Sequence, residues 1–278
     1  MPLLGLGTFK MRGYEILYEA INAALAAGYR SFDTASVYKN ETEIGQVLKK
    51  LLPMYNLSRK DIFITSKLSP SEQGEDNALP AIQGSLSRLD CDYLDLYLIH
   101  WPGTHKLQPH DQRHQTYRKQ TWQVMEEAHR QGLIHSIGVS NYLQHHLEEL
   151  LEYCTIKPSV LQIEYHPHCV QTSLKSYCHE NGIHLQAYSS LGTSSVENKL
   201  LSDPLIKEIA QKYEKTPAQI LLRWAVQQDI GVLPKSTNVL HISENADVFS
   251  FSLSPEHLAA ISSLDTQTHY CWNPNLIV

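Results

Sequence analysis

An alternation that runs through most of the chain constrains it more than any single motif. Short apolar runs of strand length are each followed by a stretch with helical spacing. Residues 2–7 are an apolar run broken by glycines, and Leu17, Ala20, Ile21, Ala24 and Leu25 then recur at helical spacing over 14–27, with Gly28 as the stop. A strand over 29–33 leads to a helix over 43–52 whose Ile44, Val47, Leu48 and Leu51 share one face. The pairing repeats as strand 61–66 with helix 77–89, strand 93–99 with helix 117–131, strand 136–140 with helix 143–153, and strand 160–165 with helix 172–180. A strand over 183–188 follows. Thr216-Pro217 then opens a helix reaching about Gln228, and residues 230–233 make the eighth strand.

Eight strands alternating with helices over about 240 residues predict a single-domain α/β protein, a parallel (β/α)8 TIM barrel, which typically needs ~250 residues. The chain has 278 residues, of which 42% are hydrophobic, enough to fill such a core. The rival is a doubly wound sheet. That fold wants a glycine-rich phosphate loop after its first strand, and LGLGTFK fits poorly because Phe9 and Met11 fall where space is needed. No linker, low-complexity tract or short-period repeat divides the chain.

The net charge of −6 gives no general reason to expect nucleic-acid or anionic-membrane binding. Five cysteines, odd in number and without a CxxC pair, read as reduced packing thiols of a cytoplasmic protein. There is no basic leader followed by a long apolar stretch, and no apolar run of membrane-spanning length, so a soluble protein is expected.

In a barrel, functional side chains sit at the C-terminal ends of strands. Those ends carry Asp33 after the second strand, Lys67 after the third and His100 after the fourth, with Tyr38 on the loop that follows Asp33. Each alone is ordinary: a strand-end cap, a solvated lysine, a hydrogen-bonded histidine. On consecutive strands they point into one pocket, and their chemistry is coherent. A phenol with a pKa near ~10 is a poor acid at neutral pH. A nearby ammonium is expected to lower that value, and a carboxylate would hold the ammonium in place. Asp33, Lys67 and Tyr38 therefore read as a tuned general acid, with His100 orienting a substrate oxygen. Such an acid suits carbonyl reduction, where a developing alkoxide must be protonated.

The polar stretch GTHKLQPHDQRHQT (103–116) carries His105, His110 and His114, whose spacing suits no compact ligand set. A solvated insertion over the barrel mouth is expected, and His145-His146 at a helix start is read the same way. A metal-dependent hydrolase using His166 and His168 lacks a matched histidine or carboxylate on the first strand. No metal is expected.

Ordered motifs then carry a resemblance over nearly the full length. They are GLGTFK (5–10), GYRSFDTASVYKNETEIG (28–45), ITSKL (64–68), DLYLIHWP (95–102), GLIHSIGVSN (132–141), LQIEYHP (161–167), QAYSSLG (186–192) and LPKSTNVLHISEN (233–245). Together they resemble the aldo-keto reductase family, whose catalytic tetrad falls on Asp33, Tyr38, Lys67 and His100. The resemblance implies a nicotinamide cofactor. Thr8 and Lys10 would lie along it, Ser140, Asn141 and Gln162 would hold the carboxamide, and Tyr188 would stack on the nicotinamide. Ser189 and Leu191 would cover the pyrophosphate. Lys235, Ser236, Thr237, His241, Glu244 and Asn245 would surround the adenosine end.

Lys235 and the absence of an acidic residue at the phosphate-contacting positions favour NADPH over NADH. His241 stands where many members carry arginine, and a neutral imidazole gives no permanent bidentate clamp, so that preference is expected to be weakened or pH-sensitive. Members usually carry about ten residues before the MPLLGLGT motif, forming a hairpin under the barrel. This chain starts at the motif, so a barrel lacking that hairpin is expected. Phe9 takes the position often held by tryptophan, and with Trp101 and Trp272 it implies an apolar, aromatic-lined pocket for aldehydes or ketones. The loops at 103–116, 192–202 and 268–278 would shape that pocket, and the short tail implies an open site. A monomeric enzyme acting on a small carbonyl compound is expected. The alternative is a relative that binds the cofactor without catalysis, as a sensor, channel-type subunit or structural protein.

Overall fold

The computed structural model describes residues 1–193 and 199–278. Its eight strands are β1 (Leu6–Gly7), β2 (Ser31–Asp33), β3 (Phe63–Leu68), β4 (Leu96–Ile99), β5 (Ile137–Ser140), β6 (Val160–Glu164), β7 (His184–Tyr188) and β8 (Gly231–Val232). They pair in sequence order, each parallel to the next. The ring closes through a parallel bridge between Leu4 and Val232, where Gly5 N–H donates to the Val232 carbonyl and Val232 N–H to the Leu3 carbonyl. This is the expected (β/α)8 barrel.

The glycines that break the first strand serve this closure. A Cβ on Gly7 would stand 2.7 Å from the Leu233 carbonyl oxygen, and one on Gly5 would stand 2.8 Å from Leu233 Cδ2. The regular strand therefore shrinks from the expected 2–7 to two residues, while the backbone still reaches β8.

Around the ring run α1 (Tyr14–Ala26), α2 (Glu41–Leu51), α3 (Glu75–Leu89), α4 (Arg113–Arg130), α5 (Gln144–Tyr153), α6 (Thr172–Glu180), α7 (Lys199–Ser202), α8 (Pro204–Tyr213), α9 (Pro217–Val226), α10 (Val239–Ala246) and α11 (Pro255–Ser262). α7, α8, α10 and α11 add to the expected helices, and Asp203-Pro204 and Ser254-Pro255 open α8 and α11 with the same cap-and-proline signal that opens α9. Thr216 caps α9 as expected: its hydroxyl accepts from Gln219 N–H, and Gln219 Oε1 accepts in return from Thr216 N–H.

Two expectations about histidines fail. α4 starts at Arg113 rather than 117, and His114 in its first turn is buried. Its Nδ1 accepts from Thr104 N–H, so Nε2 carries the proton and donates to the Gln108 carbonyl. His146 is also fully buried; its Nδ1 accepts from Leu143 N–H and its Nε2–H donates to the Ile277 carbonyl. Neither is a solvated loop residue. Each saturates backbone groups that burial would otherwise leave unpaired, a demand that sequence spacing does not display.

Inside the barrel the layers differ in polarity. Leu96, Leu98 and Val160 pack together with Phe63 as an apolar plug. Nearer the C-terminal mouth come Lys67, Asp33, Gln162 and Gln186, all buried. Among the described residues no hairpin precedes β1. The Met1 side chain lies beneath Gln186, whose Nε2 donates to Met1 Sδ at 3.7 Å. No helix among the described residues is long and apolar enough to cross a membrane. All five cysteines are free; Cys169 and Cys178 are buried, and burial pushes both thiols up to about 12.

Candidate active site

The site is built on the C-terminal ends of the strands. Asp33 ends β2, Lys67 is the penultimate residue of β3 rather than following it, and His100 follows β4. Tyr38 closes a short 3-10 turn, Ser36–Tyr38, which Lys39 ends in a left-handed conformation at φ 58°. Lys67 is fully buried. Its Nζ donates to Asp33 Oδ1 at 2.6 Å and to the Thr34 carbonyl at 2.9 Å, and lies 3.4 Å from Tyr38 Oη. Tyr38 meets His100 edge-on, with ring centroids 5.7 Å apart, and Phe9 at 5.0 Å. The four residues named from the sequence thus stand together.

Their electrostatics differ from expectation in one respect. Burial raises the Tyr38 phenol above its ordinary value, and the opposing pull of the Lys67 ammonium does not overcome it. The expected lowering is therefore reversed in the protein by itself: desolvation of the phenolate outweighs one cation that a neighbouring carboxylate already neutralises. For Lys67, burial works against the charge, but Asp33 and Tyr38 outweigh it and its pKa rises. Burial, with Lys67 adding, depresses His100 to about 3, so its imidazole is neutral at physiological pH. His100 Nδ1 is buried without a partner.

Two residues that no sequence motif marked hold this group. Asn40 precedes α2 and looks like an N-cap, yet its side chain caps nothing. Instead Nδ2 donates to the Thr8 and Met11 carbonyls, and Oδ1 accepts from the Thr34 hydroxyl. Asn40 therefore ties the loop carrying Phe9 to the loop carrying Tyr38. The second is Glu164, at the end of β6. Its buried carboxylate accepts from His166 Nε2–H, His269 Nδ1–H and the backbone N–H groups of Tyr270 and Cys271. The tail is thereby clamped across one side of the mouth, placing Cys271 Sγ 3.3 Å from Ser189 Oγ.

The remaining predicted contacts line the mouth or run outward from it. Ser140 ends β5 and Gln162 lies opposite it on β6. Asn141, left-handed at φ 63°, donates from Nδ2 to the His100 carbonyl and Ser140 Oγ, and accepts from Tyr188 Oη at 2.6 Å. Lys10 and Ser189 are also left-handed, at φ 62° and 53°. Thr8 is buried, its hydroxyl donating to the Asp33 carbonyl, so it supports the tetrad from below. Leu191 is half-buried beside Ser189.

At the far end Lys235, Thr237, His241 and Glu244 are exposed, Ser236 is half-buried and Asn245 is buried. Asn238 caps α10 by accepting from Leu240 N–H and His241 N–H. Those two backbone donors are thus taken. Trp101 and Trp272 meet edge-on at 6.5 Å; Trp272 is 85% and Phe9 54% exposed, large apolar faces left open at the mouth. Of the loop over 192–202, residues 194–198 lie outside the described residues. Among the described residues no group of three or more histidine, cysteine, aspartate or glutamate side chains could hold a metal ion.

A buried lysine and aspartate aimed at a half-buried tyrosine, beside a neutral histidine on the next strand of a (β/α)8 barrel, form the arrangement named from the motifs. The family model of the Aldo/keto reductase family matches residues 3–266. The chain belongs to the aldo-keto reductase family. A glyoxal reductase of Bacillus subtilis (strain 168) is 42% identical over 275 residues, covering 99% of this chain and 93% of that protein. The mouse protein named aldo-keto reductase family 1 member A1 is 37% identical, covering 97% and 88%. Among solved structures, an aldo-keto reductase from a Medee basin deep-sea metagenome library superposes with a TM-score of 0.90 at 38% identity, covering 98% of this chain and 94% of that one. The aldose reductase of Schistosoma japonicum superposes with a TM-score of 0.88 at 38% identity, covering 97% and 90%. For this aldo-keto reductase, membership supports an oxidoreductase that reduces carbonyl groups with a nicotinamide cofactor.

Proposed function

We propose that this chain is an NADPH-dependent reductase of aldehydes and ketones in which Tyr38 supplies the proton. The observation that carries this reading is the unbroken chain from Asp33 through Lys67 to Tyr38, with His100 facing the same ring. When bound, the nicotinamide supplies a hydride to the carbonyl carbon.

Everything else falls to the protein. Burial keeps Tyr38 protonated through neutral pH, so the acid form stands ready. As Tyr38 gives up its proton to the carbonyl oxygen, the phenolate left behind lies 3.4 Å from the Lys67 ammonium, which Asp33 retains at 2.6 Å. His100, neutral, can donate a ring N–H to the same oxygen without adding a charge. Phe9, Trp101 and Trp272 offer aromatic faces that favour apolar carbonyl compounds.

The cofactor-facing groups suit an amide and a phosphate. Ser140, Asn141 and Gln162 would hold the carboxamide, Tyr188 would cover the ring, and Ser189 and Leu191 would lie over the pyrophosphate beside Thr8 and Lys10. Lys235, Ser236, Thr237, His241, Glu244 and Asn245 would surround the adenosine. Lys235, exposed there, is the basis for preferring NADPH to NADH, and His241, in place of a permanently charged arginine, weakens that preference. The working unit proposed is a monomer in the cytoplasm. The intact tetrad supports catalysis over a cofactor-binding role alone. The test is Tyr38→Phe: turnover of an aldehyde panel with NADPH should be lost while NADPH still quenches tryptophan fluorescence. Unchanged turnover would remove Tyr38 from the chemistry.

A further inference from the structure

Gln162 and Gln186 stand opposite each other on β6 and β7, pointing into the barrel, and both are buried. Gln162 Nε2 donates to Asp33 Oδ2 at 2.8 Å and to Gln186 Oε1 at 2.8 Å. The orientation of both amides follows from proton inventory. Asp33 faces a lysine ammonium on its other oxygen, so as a carboxylate it can only accept, and the nitrogen of Gln162 must face it. The second hydrogen of that nitrogen then needs an acceptor, which turns Gln186 with its oxygen inward and its nitrogen toward Met1 Sδ. A reversed Gln186 would set two N–H groups against each other in a buried site.

Gln162 therefore has no amide hydrogen left for a ligand. What it can still offer is its carbonyl oxygen, as an acceptor. We propose that Gln186 is a positioning residue of the active site: it fixes the Gln162 amide so that one end secures Asp33 and the other presents an acceptor to the amide group of the nicotinamide. It reaches the reaction only through Gln162. The same locked amide thus joins the proton-donor chain to the cofactor's reactive end, and Gln186 lies below both without touching either. This rests on the reading of the chain as a nicotinamide-dependent reductase.

The experiment compares wild type with Gln186→Met, which keeps side-chain length and removes the acceptor. Fluorescence titration with NADP+ and with adenosine 2′,5′-bisphosphate, which has no nicotinamide, separates the two ends of the cofactor. In wild type, NADP+ binding and aldehyde turnover test the underlying reading on their own. In Gln186→Met, NADP+ affinity should fall roughly three- to tenfold, the range of one hydrogen bond, with the bisphosphate unchanged. The kcat should fall by a similar factor with the KM for aldehyde unchanged, and Gln186→Glu, which restores an acceptor, should recover NADP+ affinity. Equal loss for both nucleotides, or none, would overturn the proposal. Should Gln186→Met not fold, hydrogen exchange in the unmodified protein decides. The Gln162 side-chain amide hydrogens, assigned by their loss in Gln162→Met, should exchange far more slowly than exposed glutamine amides. Rapid exchange would refute the lock.

Discussion

Lys67 and Asp33 form a buried ion pair whose Nζ–Oδ1 distance is 2.6 Å, with neither side chain reaching bulk solvent to any useful extent. Two charges removed from water cost several kcal/mol each unless they are paired, and here the lysine also donates to the Thr34 carbonyl. Asp33 meets its second obligation through Gln162. The pair therefore serves stability and chemistry together.

Removing one partner should show both roles. Asp33→Leu strands the ammonium, and urea unfolding should give a loss of about 3–5 kcal/mol, together with a fall in kcat of at least about a hundredfold. The double variant Asp33→Leu/Lys67→Met should recover much of the stability and none of the activity. A double variant no more stable than Asp33→Leu would contradict this account of the pair.

The pH profile of carbonyl reduction should follow Tyr38. Burial raises its pKa above the ordinary tyrosine value, so the acid form persists through neutral pH. The kcat/KM for reduction should stay level across the neutral range and fall only above ~10, the ordinary tyrosine value. His100 stays neutral down to about 3 and adds no limb between pH 5 and 8. An alkaline limb well below ~10 would mean that Lys67 outweighs burial in the working enzyme.

Glu164 should control the tail. Although burial opposes its charge, the hydrogen bonds from His166, Tyr270 and His269 lower its pKa, so it accepts as a carboxylate. Glu164→Ala should free residues 269–271, raise the KM for aromatic aldehydes several-fold through loss of the Trp272 wall, and leave NADPH binding at its adenosine end intact. A steady-state comparison of aromatic and short aliphatic aldehydes checks this. An equal change for both classes would argue against a specificity role for the tail.

His146 should make stability pH-dependent. Burial depresses it to about 3, against ~6.5 in an unfolded chain. Between those values the unfolded state binds the extra proton, so stability rises with pH and is lost as pH falls from about 6.5 toward about 3. This one group contributes a slope of about 1.4 kcal/mol per pH unit over that window. His146→Gln should flatten the unfolding free energy measured at pH 6 and pH 4.5 by about that slope.

In the proposed cofactor site, His241 is the residue expected to limit phosphate recognition. His241→Arg should tighten NADPH binding about tenfold with little change for NADH. Fluorescence titration of both cofactors measures it. Equal gains for NADH would remove the 2′-phosphate from this corner.

How much was legible in advance divides along a physical line. The order of eight strands, the barrel, and the positions of Asp33, Tyr38, Lys67 and His100 were readable because each depends on local information. Hydrophobic period marks a strand, and a polar residue directly after it marks the mouth. The helices at 199–213, 239–246 and 255–262 lie outside the expected set, although Asp203-Pro204 and Ser254-Pro255 are cap-and-proline starts and Ile206, Ile209 and Ala210 share the buried face of α8. His114 and His146 looked solvated in the sequence, and tertiary packing buried them to pair backbone groups that only the folded chain brings close.

The sequence by itself determined which groups face the mouth of the barrel. Tertiary structure alone decided how those groups are tuned and held. The Tyr38 phenol is shifted upward because its surroundings desolvate it, an effect that no spacing encodes. Asn40, Glu164 and Gln186 act on residues 29, 106 and 24 positions away, through Met11, Tyr270 and Gln162. Their chemistry depends on who stands opposite in a closed ring of strands, and that pairing exists only once β1 meets β8.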